Sequence, residues 1–295
     1  MTLSSCDKAS DNSKKTTQTV EPAKPATVVT PTAAVPAQPK PIYWTNELLQ
    51  AEIKFHNPGY EGNGQAQLEN GVVTALMLRG AKIENLAFVD KMKTLMAIDL
   101  GDTAVSDLRP LKGLQIIELY LENTKVKDIS SLRGMPLQKL YLSGSPIMDL
   151  GPLEGAPIEE LNAVNIQARD ITPLGKSPIK MLWLTDSPVE SIAALKTVPL
   201  ISLTLHRTKV KDLSPLTGTA LQRLHIAETP VEDLSPLKGM KLTRLVFTPA
   251  NIKAGLDVAR SLPLQEIGTR FDDEAKDLGP PAVFWSAYDA PPPAK

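Results

Sequence analysis

Aromatic rings, cysteine and long apolar runs are all scarce in this sequence. Aromatic residues make up 4% of its 295 residues, so the core must be mainly aliphatic, which suits many small similar layers. Cys6 is the only cysteine, and this excludes an intrachain disulfide. No apolar run approaches the roughly 18 residues that a membrane-spanning helix needs. The formal net charge of -1 argues against nucleic acid as the main partner, because phosphate binding requires a basic surface.

The first part of the chain is poor in the residues that build a core. Between Cys6 and Pro41 there is no Leu, Ile, Met, Phe, Tyr or Trp. Such a segment cannot bury enough apolar area to offset the entropy of ordering it. We therefore predict a disordered, Pro-, Thr- and Ala-rich linker over residues 1–41.

The residues Leu3-Ser4-Ser5-Cys6 resemble a bacterial lipobox, where a signal peptide is cleaved and the new N-terminal cysteine is lipidated. This resemblance implies that Cys6 carries acyl chains and anchors the protein to the cell envelope, in the periplasm or at the surface. A secretory signal needs an apolar region of 7–15 residues, so this interpretation requires sequence upstream of Met1. The alternative is an unmodified thiol in a flexible tail.

An apolar pair with one residue between its members recurs along most of the chain. The spacing is 21 residues at every step from Ile98 to Leu245, and 22 residues for the steps on either side. A fixed period of this size predicts a solenoid. The pairs are Leu76/Leu78, Ile98/Leu100, Leu119/Leu121, Leu140/Leu142, Leu161/Ala163, Leu182/Leu184, Leu203/Leu205, Leu224/Ile226 and Leu245/Phe247.

Each repeat continues with residue types that predict a strand exit, a tight turn and a stop. A small hydroxyl side chain can bind the backbone where the strand ends, and an aspartate can cap the following turn. Proline suits the first turn of a short helix, and glycine suits its end. The hydroxyls are Thr103, Thr124, Ser145, Ser187, Thr208 and Thr229. The aspartates are Asp107, Asp128, Asp149, Asp170, Asp212 and Asp233, and the glycines are Gly113, Gly134, Gly155, Gly218 and Gly239.

The unit Val-x-Asp-Leu-Ser-Pro-Leu-x-Gly closely resembles the short, internalin-like leucine-rich repeats of bacteria. The resemblance implies an α/β solenoid: a curved right-handed coil with a parallel sheet on its concave face and short 3-10 turns on its convex side. About nine repeats fill residues 65–268, between an N-terminal helical cap at 42–64 and a C-terminal cap and tail at 269–295. We expect Phe284, Trp285 and Tyr288 to plug the last coil, with an exposed docking motif as the alternative. The stretch Asn162–Ile166 matches the repeat poorly, so we expect local irregularity there.

No enzyme signature stands out in the sequence. There is no Gly-x-Ser-x-Gly, Walker loop or His-Glu-x-x-His, and we predict neither catalysis nor a cofactor. His206 and His225 fall at outward positions of adjacent strands, but two ligands without a fixed third are weak grounds for a metal. We therefore interpret both as solvated polar residues on a binding face, with no metal site.

Three of the scarce rings, Tyr120, Tyr141 and Trp183, fall in one outward column of the sheet. Exposed rings on a rigid face are typical interface anchors. We predict that they bind another protein or peptide in a groove that is acidic on one side and basic on the other, with the protein itself a monomer. Stacking of a carbohydrate on the rings, or a structural spacer with no ligand, are the alternatives. The predicted ligand-binding residues are Tyr120, Tyr141, Trp183, His206, Arg223, His225 and Glu122.

Overall fold

The structure is a computed structural model that describes residues 42–270 and 277–291. The predictions for residues 1–41, including lipidation of Cys6, lie outside the described residues. Across the described ranges, no helix has the length and hydropathy needed to cross a membrane.

A helix and a hairpin form the N-terminal end of the coil. Helix α1, Asn46–His56, begins at Thr45, whose side chain accepts a hydrogen bond from the main-chain N–H of Leu48 at 3.2 Å. It is amphipathic and buries Leu49 and Ile53 against the first coil. Strands β1, Gln65–Glu69, and β2, Val72–Met77, then pair antiparallel.

The antiparallel pairing of β1 differs from the wholly parallel sheet that the repeat predicts. Only Asn70 and Gly71 separate the two strands, and both have positive φ, 51° and 78°. A two-residue turn with positive φ at both positions matches the right-handed twist of a hairpin. The Asn70-Gly71 pair in the sequence therefore specifies the antiparallel hairpin of β1 and β2.

Ten parallel strands, β2 to β11, follow in strict chain order and form one sheet with β1. The paired residues are those that share a column of the repeat, as where Leu119 pairs with Ile98 and Leu140. The central residue of each three-residue strand is buried, so each coil adds one layer to a continuous aliphatic core. The bounds are β3 Ala97–Asp99, β4 Glu118–Tyr120, β5 Lys139–Tyr141, β6 Glu160–Asn162, β7 Met181–Trp183, β8 Ser202–Thr204, β9 Arg223–His225, β10 Arg244–Val246 and β11 Glu266–Gly268.

Short 3-10 helices cross the opposite side of each coil. Most begin beside the repeated aspartate and, where the repeat has one, a proline stands in their first turn. Their bounds are Ala87–Lys91, Arg109–Leu111, Ser130–Leu132, Gly151–Leu153, Thr172–Lys176, Ala193–Thr197, Ser214–Leu216, Ser235–Leu237 and Pro249–Asn251. Two α-helices, α2 at Leu256–Ser261 and α3 at Pro281–Asp289, lie near the C-terminal end.

The predicted turn chemistry is confirmed in the repeats that carry it. All six repeated aspartates accept a hydrogen bond from the main-chain N–H two residues on, at 2.7–2.9 Å. All six hydroxyls donate to a main-chain carbonyl where a strand ends, at 2.6–2.9 Å. The five glycines end their turns with φ between 72° and 83°, a conformation that costs other residue types free energy.

The expected irregularity at Asn162–Ile166 is wrong. Leu161 pairs in register with Leu140 and Leu182, and the N–H of Asn165 reaches the carbonyl of Thr185 at 2.8 Å. Ile166 replaces the hydroxyl and is buried. Because an apolar side chain fills that position, the coil keeps its backbone hydrogen bonds without the side-chain one.

Two of the three C-terminal rings close the last coil, as predicted. Phe284 and Trp285 of α3 pack on Phe247, with ring centroids 6.1 and 6.4 Å away. The guanidinium of Arg260 lies 4.2 Å from the Trp285 ring centroid and so fastens α2 to α3. Tyr288 stacks on Phe284 but remains 44% exposed.

Candidate interaction surface

Strand alternation and register place the predicted rings on one face. In each strand the central residue points into the core, so its two neighbours point to the concave side. Tyr120 pairs directly with Tyr141, and Tyr141 reaches Trp183 through Asn162. Strands β4 to β7 therefore carry the aromatic column, and all three rings are partly exposed.

The two tyrosines form a fixed pair. Their ring centroids lie 5.0 Å apart with planes inclined by 37°. Each hydroxyl donates to a carboxylate, that of Tyr120 to Glu118 at 3.0 Å and that of Tyr141 to Glu160. Partial burial, reinforced by Glu118, raises the pKa of Tyr120 to about 12, and burial together with Glu160 raises the pKa of Tyr141. Both rings thus stay neutral and oriented at any ordinary pH.

Carboxylates surround the Tyr120–Tyr141 pair and form ion pairs with two cations. Glu118 also binds the ammonium of Lys139 at 2.9 Å. Arg79 contacts Asp99, Asp102 and Glu122 at 3.0, 3.1 and 2.8 Å. Burial disfavours the charged form of Arg79, but the hydrogen bonds to Glu122 and Asp99 outweigh it and raise its pKa. The predicted residue Glu122 therefore lies in a network with Arg79, which sequence reasoning did not single out.

The C-terminal half of the same face differs from the prediction. His206 and His225 are each only 5% exposed, and Thr204 and Val246 are buried beside them. The interpretation of both histidines as solvated residues is therefore wrong. Burial, and then the positive charge of Arg244, lowers the pKa of His225 to about 4. The open part of the concave face consequently lies on β2 to β7.

The predicted site residues thus fall into two groups. Tyr120 and Tyr141 lie side by side on β4 and β5, Glu122 follows β4, and Trp183 lies two strands further on β7. His206 follows β8, and Arg223 and His225 lie on β9, in the buried half. In the described ranges, no group of three or more His, Cys, Asp or Glu side chains could hold a metal ion.

The basic side of the predicted groove is largely paired with carboxylates. Arg207 binds Asp186 through two hydrogen bonds of 2.6 and 2.8 Å. Arg244 binds Glu266 at 2.7 Å through its Nε. These pairs reduce the positive field that the sequence suggested, so the acidic side dominates the open face.

Comparisons with solved structures identify the fold. No protein-family model matches the sequence, and no curated protein is significantly similar to it. Internalin C2 of Listeria monocytogenes matches with a TM-score of 0.60 and 23% identity, over 72% of this chain and 98% of that protein. The fold is a leucine-rich repeat solenoid. Internalin F of the same organism matches with a TM-score of 0.58 and 23% identity, over 75% of this chain and 68% of that one.

A plant peptide hormone receptor is a more distant structural match. The peptide hormone receptor RGFR1, in complex with RGF2, has a TM-score of 0.52 and 16% identity, over 64% of this chain and 35% of the receptor. Similarity at this level establishes a common fold. It does not establish a common function, so the function of this leucine-rich repeat chain must be inferred from its own surface.

One column of the leucine-rich repeat, a residue with positive φ after each of the strands β2 to β9, was not predicted from the sequence. The residue that follows each strand exit has a positive φ, and its spacing is again 21 residues after the first step. Glycine, asparagine and aspartate tolerate this conformation best, and their recurrence was the signal that could have revealed it. The column is Gly80, Asp102, Asn123, Gly144, Asn165, Asp186, Arg207 and Glu228. It forms the rim of the concave face, where Asp102 meets Arg79.

Proposed function

We propose that this protein is a non-catalytic interaction module that binds a protein or peptide on the open part of its concave face. The observation that carries the proposal is the aromatic column of Tyr120, Tyr141 and Trp183, partly exposed on a rigid sheet. We further propose that acyl chains on Cys6 tether the module to a bacterial cell envelope.

The geometry favours recognition because the anchors are already oriented. Large rings dominate the binding energy of many interfaces, and ordering a side chain on binding costs about 0.5–1.5 kcal/mol. The hydroxyls of Tyr120 and Tyr141 are held by Glu118 and Glu160 before any partner arrives. Much of that ordering cost has therefore been met on folding.

The fold supports the same conclusion by example. A plant peptide hormone receptor of similar architecture, RGFR1, has been solved in complex with RGF2. In the present chain the open face is that of β2 to β7, since β8 and β9 bury Thr204 and His225. We therefore propose that the binding site lies on β2 to β7, six of the eleven strands of the sheet.

Cross-linking and capture from native cells test the interaction. The variant Tyr120→Ala/Tyr141→Ala/Trp183→Ala should lose the specific partner of the wild-type protein. A matched control removes three exposed rings elsewhere and should retain it: Tyr43→Ala/Phe55→Ala/Tyr288→Ala. Equal capture by both variants, with unchanged circular dichroism, would instead favour a structural spacer.

The tether has a separate test. The protein is expressed from its genomic locus, and the mass of its N-terminal peptide is measured beside a Cys6→Ser variant. Acyl mass on Cys6 and solubilisation of the serine variant are expected. An unmodified thiol in a soluble wild-type protein would contradict the anchor without affecting the binding face.

A further inference from the structure

We propose that the concave site binds a basic peptide segment, with Lys or Arg side chains placed over the Tyr120–Tyr141 pair. This inference rests on the proposed function and specifies the chemistry of its partner. Two features carry it: the charge balance of the open face and the orientation of the two rings.

The open face around the tyrosines carries more carboxylates than cations. Its cations are Arg79 and Lys139, and both are already bound to carboxylates. At neutral pH five carboxylates against two cations leave a net charge of -3. The carboxylates are Asp99, Asp102, Glu118, Glu122 and Glu160.

These charges remain within reach of a ligand. The side chain of Asp102 is 44% exposed, and those of Asp99 and Glu122 are 21% and 18% exposed. Each carboxylate oxygen can accept more than one hydrogen bond. An incoming guanidinium or ammonium can therefore bind them without displacing Arg79.

The rings add a second attraction for the same kind of group. A cation within about 6 Å of an aromatic centroid is attracted by the ring quadrupole. The hydroxyl edges of Tyr120 and Tyr141 are turned towards Glu118 and Glu160. Because the two rings pack against each other with centroids 5.0 Å apart, a cation can rest only on their outer faces, where the nearby carboxylates attract it as well.

The size of this surface sets the length of the segment. The five carboxylates lie on or directly after strands β3 to β6, which are spaced about 4.8 Å apart, so the acidic patch is about 14 Å wide. An extended chain covers that distance with about four or five residues. A segment with two cationic side chains in such a length matches the charge of the face, whereas an acidic segment would meet like charges.

Direct titration tests the inference with defined probes. Fluorescein-labelled peptides of about eight residues, alternating glycine with arginine, glutamate or serine, are titrated by anisotropy with the full chain. At about 0.05 M salt the arginine peptide should bind at least tenfold tighter than the others, and about 0.5 M salt should remove most of this preference. The double variants Tyr120→Ala/Tyr141→Ala and Glu122→Gln/Glu160→Gln should each weaken binding of the arginine peptide about tenfold.

A matched charge control uses Glu154→Gln/Glu190→Gln, two exposed carboxylates that pair with Lys176, Arg169 and Lys209 away from the sheet face. Binding by this variant should equal that of the wild type. Equal binding of the arginine and glutamate peptides to the wild-type protein would overturn the inference, and this arm requires no variant to fold.

The two proposals fail in different ways. If the aromatic variant loses its cellular partner but the wild type shows no preference for the arginine peptide, the interaction function stands and the basic partner is wrong. If the wild type prefers the arginine peptide and both double variants weaken its binding, but no partner is captured from cells, the chemistry of the surface stands and the interaction function is contradicted.

Discussion

One repeat carries a weaker turn than its six counterparts, and strengthening it should stabilise the protein. Ser191 occupies the column of the capping aspartates and reaches the N–H of Ala193 at 3.3 Å. The aspartates make the same contact at 2.7–2.9 Å. An asparagine side chain can form the same turn as aspartate without adding charge.

The expected gain for Ser191→Asn follows from the hydrogen bond it improves. A complete hydrogen bond contributes about 0.5–1.5 kcal/mol, and the serine already supplies part of that. The gain should be about 0.5 kcal/mol, which raises the melting temperature by about 1–2 °C in a domain of this size. Differential scanning calorimetry resolves a shift of this size.

Ser191→Asp should behave differently because its charge enters between Asp170 and Asp212. Neighbouring aspartates do influence each other: the N–H of Ser130 lowers the pKa of Asp128, and Asp107 opposes that shift. Two charges about 5 Å apart repel by about 0.8 kcal/mol in water, which offsets the gain at low salt. Stabilisation by Ser191→Asp should therefore emerge as salt increases, whereas that by Ser191→Asn should be independent of salt.

The control for this series is Asp212→Ala. The Asp212 carboxylate binds the N–H and the hydroxyl of Ser214, both at 2.8 Å, so its loss should cost about 1 kcal/mol. If Asp212→Ala destabilises the protein but Ser191→Asn leaves it unchanged, acceptor geometry does not limit this turn. If neither change matters, the side-chain turns do not stabilise the coil and the reasoning fails.

Three further predictions concern the core, the C-terminal end and pH. Leu182→Ala, at a fully buried central position, should cost about 2–5 kcal/mol, measured by urea unfolding against an exposed Leu48→Ala control. Trp285→Ala removes contacts to Phe247 and Arg260. Since Trp285 is half-buried, this variant should lower the free energy of unfolding by about 1–3 kcal/mol. Unchanged stability would contradict the role of Trp285 in closing the last coil. The pKa of His225 is about 4 when folded and about 6.5 when unfolded. The unfolded state therefore binds more protons between these values, so stability should fall from pH 6.5 towards 4, and His225→Gln should flatten that profile.

Much of the fold was predictable because each column of the repeat has its own physical requirement. Alternation about Leu119 or Leu140 specifies which residues enter the core, and a proline or glycine at a fixed offset specifies the turn. The Asn70-Gly71 pair is an equally clear hairpin signal, but it occurs only once and therefore does not contribute to the period. Arg79 escaped notice for a related reason, since only the folded register brings it to Asp99 and Glu122.

The sequence predicted which residues lie on the concave face better than it predicted how exposed their side chains are. Periodicity correctly placed Tyr120, Tyr141 and Trp183 in one column, because it determines the direction of each side chain. It gave the same direction to His206 and His225, which are nevertheless buried. Whether an outward side chain meets solvent depends on which side chains surround it in the neighbouring coils, as where Glu228 lies 3.4 Å from His206, and the period alone does not specify those side chains.

The uniform register of the parallel strands has a consequence for how such a protein can change over generations. Duplication or deletion of one 21-residue unit between Ile98 and Leu245 would preserve the register of the parallel strands and the stacking of the repeat columns. It would leave both the Asn70-Gly71 hairpin and the aromatic end piece on α3 in place. The concave face would then widen or narrow by one strand spacing, about 4.8 Å, so its width can evolve in discrete increments while its terminal structures remain constant.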